Sequence, residues 1–295
     1  MLQPPLPNPG RILRDLMASG TVVMPGAYNA LTARLAWQCG AKAGYLSGGA
    51  MANALLGAPD IALTTLDEVS RTAAQACQAA PIPLICDGDT GFGEVWNVRR
   101  TIIEFERAGL AGLHLEDQVS PKRCGHLGGK QVLETEAMSE KVRAAVAARR
   151  NPDFVLIART DAYGVEGIEG TIRRAQAYVE AGADAIFPEG LSSEKDFKTV
   201  RAALGSTPLL ANMTEFGRTP LFSVQQFSDW GYQMVIFPVS ALRVTLFAVE
   251  CFYQDLLAQG TQAEWMERMM TRADLYKLVN YEEYERSDAA WRDLR

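Results

Sequence analysis

Acidic residues gather in a few short motifs of this 295-residue chain, and a thiol flanked by cations stands among them. Asp87-Gly88-Asp89-Thr90-Gly91-Phe92-Gly93 sets two carboxylates two residues apart, between glycines that allow close backbone approach. Hard carboxylate oxygens suit Mg²⁺, or equally Mn²⁺, ions that keep several waters and need few protein ligands. Glu116, at the end of a separate apolar run, is a third acid for one hydrated ion. Two acids brought together without a cation repel each other, which favours a metal over a pair of turn caps.

Lys122-Arg123-Cys124-Gly125-His126 is the second constellation. Cations before a thiol and a histidine after it lower its pKa and let it exchange protons near neutrality. The chemistry is that of a general acid or base, carried on the polar, Gly-rich stretch 119–131. Arg159 and Arg243 supply forked donors for carboxylates, and Asn212 and Thr214 supply neutral ones. Ser47-Gly48-Gly49 offers backbone N–H groups that could hold a carboxylate or phosphate oxygen. His114 lies inside an apolar run and reads as a hydrogen-bonded core histidine. Arg272 reaches such a site only if the C-terminal helices fold back over it.

A repeated unit must position these residues. Apolar runs at 21–26, 44–49, 83–89, 112–117, 154–160, 185–190, 208–213 and 234–240 nearly all end in polar, charged or Gly residues, with helical periodicity between them. Eight strand-then-helix units predict an α/β fold, a (β/α)8 TIM barrel with its chemistry at the C-terminal strand ends. Ser47, Asp87, Asp89, Glu116, Asp117, Arg159, Asp161, Glu189 and Asn212 stand there. The pattern predicts helices over 9–19, across the barrel bottom, and over 95–108, 134–149 and 170–181. Thr65 and Glu68 form a capping box for a helix at 65–80. Two more amphipathic helices, 241–259 and 262–278, and a charged tail exceed what a barrel needs. Residues 1–295 therefore read as one domain, with 241–295 packing on a neighbouring subunit.

Net charge is 29 − 35 = −6, with no basic run, so nucleic acid is not an expected partner. No apolar stretch approaches the roughly 20 residues needed to span a bilayer, so no membrane partner is expected. The start carries four prolines and no apolar signal segment. Five dispersed cysteines without a C-x-x-C pair point to free thiols in a reducing compartment, and a cytoplasmic location is expected.

From about Arg11 to Tyr284 the chain resembles the isocitrate lyase and phosphoenolpyruvate mutase superfamily, most closely the short methylisocitrate lyases. The motifs that carry this are DGDTGFG at 87–93, LEDQV at 115–119, KRCGH at 122–126, ARTDA at 158–162, FPE at 187–189 and ANMTEFG at 211–217. KRCGH marks the carbon–carbon lyases, and the phosphonate-forming mutases lack that cysteine. The resemblance implies a barrel whose eighth helix swaps between subunits, in a homotetramer. It also implies Mg²⁺ contacted directly by Asp87, with Asp89 and Glu116 acting through waters and Asp60 near the metal shell. Ser47, Gly48 and Gly49 would bind the α-keto acid portion, with Cys124 and Gly125 beside them. Arg159, Glu189, Asn212, Met213, Thr214 and Arg243 would hold the rest of a hydroxy di- or tricarboxylate, and Arg272 its periphery. Tyr45 matches a tyrosine proposed as the hydroxyl base. Cys124 would protonate the departing carbanion of a retro-aldol cleavage, aided by Lys122 and His126.

Leu127-Gly128-Gly129-Lys130 departs from the methylisocitrate lyase pattern and resembles isocitrate lyases and dimethylmalate-type lyases. Phe187 stands where isocitrate lyases place tryptophan, and Ile236 where they place threonine, which implies an apolar pocket for an extra methyl. The expected reaction is cleavage of 2-methylisocitrate to pyruvate and succinate. Cleavage of 2,3-dimethylmalate or oxaloacetate is the alternative, and a phosphonopyruvate-type mutase or a non-catalytic dicarboxylate binder stands further off.

Overall fold

A computed structural model of the chain describes residues 6–122 and 129–292. Its strands are β1 (Val22–Ala27), β2 (Gly44–Leu46), β3 (Leu84–Asp87), β4 (Gly112–Glu116), β5 (Val155–Thr160), β6 (Ala185–Pro188), β7 (Leu210–Asn212) and β8 (Met234–Phe237). They pair in parallel in the order β6-β5-β4-β3-β2-β1-β8-β7. A bridge between Ile186 and Leu209 joins β6 to β7, with the Ile186 N–H donating to the Pro208 carbonyl at 3.0 Å, and closes the ring. The (β/α)8 barrel expected from the sequence is the observed architecture.

The helices are α1 (Pro9–Ser19), α2 (Ala30–Gln38), α3 (Gly48–Leu56), α4 (Leu66–Ala79), α5 (Val95–Ala108), α6 (Thr135–Ala148), α7 (Tyr163–Glu180), α8 (Glu194–Leu204), α9 (Val224–Asp229), α10 (Ser240–Gln259), α11 (Arg272–Leu278) and α12 (Tyr281–Arg292). The Thr65–Glu68 capping box opens α4 as expected. Helix α7 starts earlier than the periodicity indicates, because a turn at 163–166 runs into it across Gly167, whose φ of 72° kinks the backbone. The expected helix at 262–278 is broken. A 3₁₀ turn, Ala263–Arg268, comes first, and Thr271 then caps α11 by accepting the Asp274 N–H. The charged tail forms α12.

Strand alternation decides what faces the barrel axis. Tyr45, Ile85, Val155, Ile157, Phe187, Leu210 and Ile236 fill the interior, and Leu13 and Met17 of α1 join that cluster. Leu46, Cys86, Leu113, Leu115, Leu156, Ala158 and Ile186 point the other way, into the layer under the helices. Two residues beyond Ile85, Ile157 and Phe187, the inward positions are Asp87, Arg159 and Glu189. Apolar below and charged above is thus written into each strand.

One flank lacks a covering helix. Val23 of β1 and Leu35 of α2 are about 40 % exposed, and a largely apolar groove of about 830 Å³ runs beside them, past the start of α10. Only Leu242 of α10 is buried, while Val244, Phe247 and Leu257 are 70 % or more exposed. Among the described residues, no helix is long and apolar enough to cross a membrane.

Candidate active site

A cavity of about 370 Å³ opens at the C-terminal strand ends. Tyr45, Ser47, Gly49, Asp60, Asp87, Lys122, Arg159, Glu189, Asn212, Thr214 and Arg243 line it, with Phe187, Ile236 and Val239 as an apolar wall. Most of the residues singled out in the sequence therefore converge. Gly48 sits beside this lining, where a Cβ would come 2.7 Å from Asp87 Oδ2. Ser47 caps α3 by accepting the Ala50 N–H, so the N-terminus of that helix points at the acids.

Asp87 ends β3, and the chain then turns sharply. Asp89 adopts a left-handed φ of 49° and its N–H donates to Asp87 Oδ1 at 2.9 Å. The two carboxylates therefore meet through a turn, and not along one strand face as their spacing suggests. The buried Lys141 of α6 donates to the Thr90 and Gly93 carbonyls at 3.1 and 2.9 Å, and Thr101 Oγ1 donates to the Gly91 carbonyl at 3.1 Å. These bonds staple the loop in place.

Lys122 is 3 % exposed, and its ammonium lies 2.7 Å from Asp60 and 2.5 Å from Asp89. Burial works against its charge, but Glu116, Asp87, Asp89 and Asp60 outweigh burial and push its pKa well up. Burial likewise drives Asp89 up to about 6, against the pull of Lys122. Asp87 goes the other way. Burial would raise it, yet His114, Lys122, Arg159 and the Asp89 N–H hold it at about 2. Asp87 is thus the firmly ionised acid.

Glu116 is fully buried, and both of its oxygens lack a hydrogen-bond donor among the described residues, although Arg159 Nε stands 3.3 Å from Oε2. Burial pushes its pKa well up. A buried acid without donors fits a neighbouring positive charge or an ordered water. Among the described residues, no three acidic, His or Cys side chains converge enough to chelate an ion by themselves. Lys122, which bridges Asp60 and Asp89, stands beside the acids that the sequence sets for one hydrated ion. Hard carboxylate oxygens and the donor-less Glu116 fit a hydrated Mg²⁺, which Asp87, Asp89 and Glu116 would hold.

His114 is the residue that sequence reasoning undervalued. It is buried and hydrogen-bonded, as expected, but its partners are site residues: Tyr45 Oη at 2.8 Å from Nε2, and Asp87 Oδ1 at 3.7 Å. Its spacing of two from Glu116 was the available signal. Burial lowers its pKa to about 4, against the opposing charge of Asp87, so the folded imidazole is neutral at pH 7. An unfolded histidine titrates near 6.5, so the unfolded chain binds more protons between the two values and stability falls as pH drops through that window. Between pH 7 and 5 the protein is expected to lose about 2 kcal/mol more stability than its His114→Gln variant. Urea denaturation at both pH values checks this, and equal losses would remove His114 as the cause.

Three sequence expectations sit elsewhere. Asp117 points outward, accepting from Thr160 Oγ1, Tyr178 Oη and the Asp161 N–H, so it braces β4 against β5 and α7. The Met213 side chain falls on the outward parity and packs under the helices, away from the cavity. Arg272 opens α11, exposed, on an arm that packs on α2 and does not line this cavity. Cys124, Gly125 and His126 lie outside the described residues. Among the described residues on either side, Gln118 bridges Val132, and the Val119 N–H donates to the Gln131 carbonyl at 2.9 Å.

Comparison with known proteins adds the following. The family described as phosphoenolpyruvate phosphomutase matches residues 13–257. The 2-methylisocitrate lyase of Aeropyrum pernix is 47 % identical over 286 residues, 97 % of this chain and 92 % of its own. A crystal structure of 2,3-dimethylmalate lyase superposes with a TM-score of 0.90 at 34 % identity, covering 97 % of this chain and 96 % of that one. Phosphonopyruvate hydrolase, solved with oxalate and Mg²⁺, superposes with a TM-score of 0.87 at 28 % identity, covering 96 % and 98 %.

Proposed function

This chain belongs to the phosphoenolpyruvate phosphomutase family, and we propose that within it the protein is a Mg²⁺-dependent carbon–carbon lyase that cleaves 2-methylisocitrate to pyruvate and succinate. One observation carries the reading: a single cavity holds ionised Asp87, the cations Lys122, Arg159 and Arg243, and an apolar wall of Phe187 and Ile236. A substrate with several carboxylates and one extra methyl matches that division. The 47 % identity with a 2-methylisocitrate lyase across nearly the whole chain supports it.

Asp87 would hold Mg²⁺, which would supply Lewis-acid polarisation to the half that becomes pyruvate. Arg159 and Arg243 bind carboxylates, and Asn212 and Thr214 add neutral contacts. Burial, with Asp87 adding to it, pushes the Tyr45 phenol well up, so its resting form is neutral. Tyr45 Oη takes the substrate hydroxyl proton while passing its own to His114 Nε2, 2.8 Å away. The carbon–carbon bond then breaks, its electron pair stays on the succinate fragment, and Cys124 protonates that carbon. Lys122 and His126 would assist it.

The test is a substrate panel: 2-methylisocitrate, isocitrate, 2,3-dimethylmalate, oxaloacetate and phosphonopyruvate, each with Mg²⁺. The highest kcat/KM is expected on 2-methylisocitrate, with isocitrate lower by about 10–200-fold for the missing methyl. A higher kcat/KM on any other member reassigns the substrate.

The uncovered flank fits a homotetramer in which α10 of one copy fills the groove beside β1 of another. Charges placed on α10, in the Phe247→Asp, Leu257→Asp variant, are expected to shift the assembly to smaller species in sedimentation. An unchanged mass would place the interface elsewhere.

A further inference from the structure

We infer that Lys130 is a positioning residue for the substrate-binding guanidinium of Arg159, acting through Asp161; the inference rests on the carboxylate-binding role given to Arg159 above. Lys130 stands six positions after Cys124 in the sequence and is buried, with its side chain 3 % exposed. Its ammonium meets Asp161 Oδ1 at 2.7 Å. Asp161 is fully buried, its N–H donates to Asp117 Oδ1 at 2.8 Å, and Asp117 is itself held by Thr160 and Tyr178. The carboxylate is therefore a fixed point.

That carboxylate also holds Arg159. Nε donates to Asp161 Oδ2 at 2.9 Å, and Nη2 stands 3.4 Å from Oδ1 and 3.8 Å from Glu189 Oε2. The guanidinium carbon lies 5.0 Å from the Phe187 ring centre, which sets the plane of the fork. No described residue takes Nη1, the edge left for a ligand carboxylate.

Charge explains why a lysine is required. Arg159 faces three acids, Glu116, Asp161 and Glu189. Lys130 neutralises the one that grips the fork most closely. Without that ammonium, a buried Asp161 is left, among the ion pairs of the described residues, with Arg159 as its cation, draws the fork onto itself and competes with the substrate for it. Lys130 thus keeps Asp161 a guide for Arg159, and not its sole counter-ion.

The experiment measures succinate binding to the full chain by calorimetry with Mg²⁺ present, alongside KM and kcat for 2-methylisocitrate. Lys130→Met is expected to weaken succinate binding and raise KM by about tenfold, with a smaller change in kcat. Lys130→Arg restores binding to within about threefold, because it keeps the charge. Adding Asp161→Asn to Lys130→Met recovers most of the loss, since it removes the competing carboxylate. Unchanged binding in Lys130→Met overturns the inference. So does a loss that neither Lys130→Arg nor the added Asp161→Asn relieves, including a loss through misfolding of all three variants. A wild-type chain that binds succinate but does not cleave 2-methylisocitrate fails the proposed function, while the binding series still decides the role of Lys130.

Discussion

Replacing Asp87 by Asn is expected to lower kcat/KM for 2-methylisocitrate by about 10³-fold or more, equivalent to about 4 kcal/mol of transition-state stabilisation. The substitution keeps the shape and removes the charge. Asp87 is the one acid of the cluster that its surroundings hold at about 2, so it is the permanent anion at the rim. Asp89 cannot replace it, because its carboxylate is tied to Lys122 at 2.5 Å and burial raises its pKa to about 6. Glu116 is raised by burial as well. Calorimetric Mg²⁺ titration of the variant should show the metal affinity lost with the activity. Activity within tenfold of wild type would mean that the cation, if required, sits elsewhere.

Cys124→Ala is the second large effect, about 10²–10⁴-fold in kcat, the range of a positioned general acid. Cys86 lies in the layer under the helices, Cys77 packs against that layer, and neither lines the cavity, so neither thiol can serve. Mg²⁺ affinity and KM should stay near wild type in Cys124→Ala, because the role proposed for the thiol is on the departing fragment alone. The two variants therefore separate metal binding from proton delivery. A Cys124→Ala enzyme with full kcat would assign the acid to another group.

The positions of these residues were legible in the sequence to the extent that they followed from strand parity. Ile85–Asp87, Ile157–Arg159 and Phe187–Glu189 each place an apolar residue and a functional one on one face, and β3, β5 and β6 keep those faces inward. The Thr65–Glu68 cap was legible because capping is local. What escaped depends on contacts between elements. Asp117 follows Glu116 and parity alone turns it outward, but its run of partners on β5 and α7 exists only in the closed barrel. Lys141 reads as a polar interruption of α6 until the Thr90 and Gly93 carbonyls are seen above it. Lys130 and Asp161 lie 31 residues apart, and nothing local pairs them. His114 is the buried, hydrogen-bonded histidine the sequence leads one to expect, and only its 2.8 Å bond to Tyr45 and its approach to Asp87 bring it to the candidate site. The surplus helices from 241 onward already read as packing on a neighbour, but the groove beside β1 that the exposed face of α10 is proposed to fill exists only in the fold.

The most direct measurement is release of pyruvate and succinate from 2-methylisocitrate by the full chain with Mg²⁺, then with EDTA, then with Mg²⁺ restored. Both products should form in equal amounts, cease on chelation and resume when the metal returns. Cleavage that survives chelation, or none with Mg²⁺ in excess, contradicts a lyase built on Asp87 and a hydrated dication.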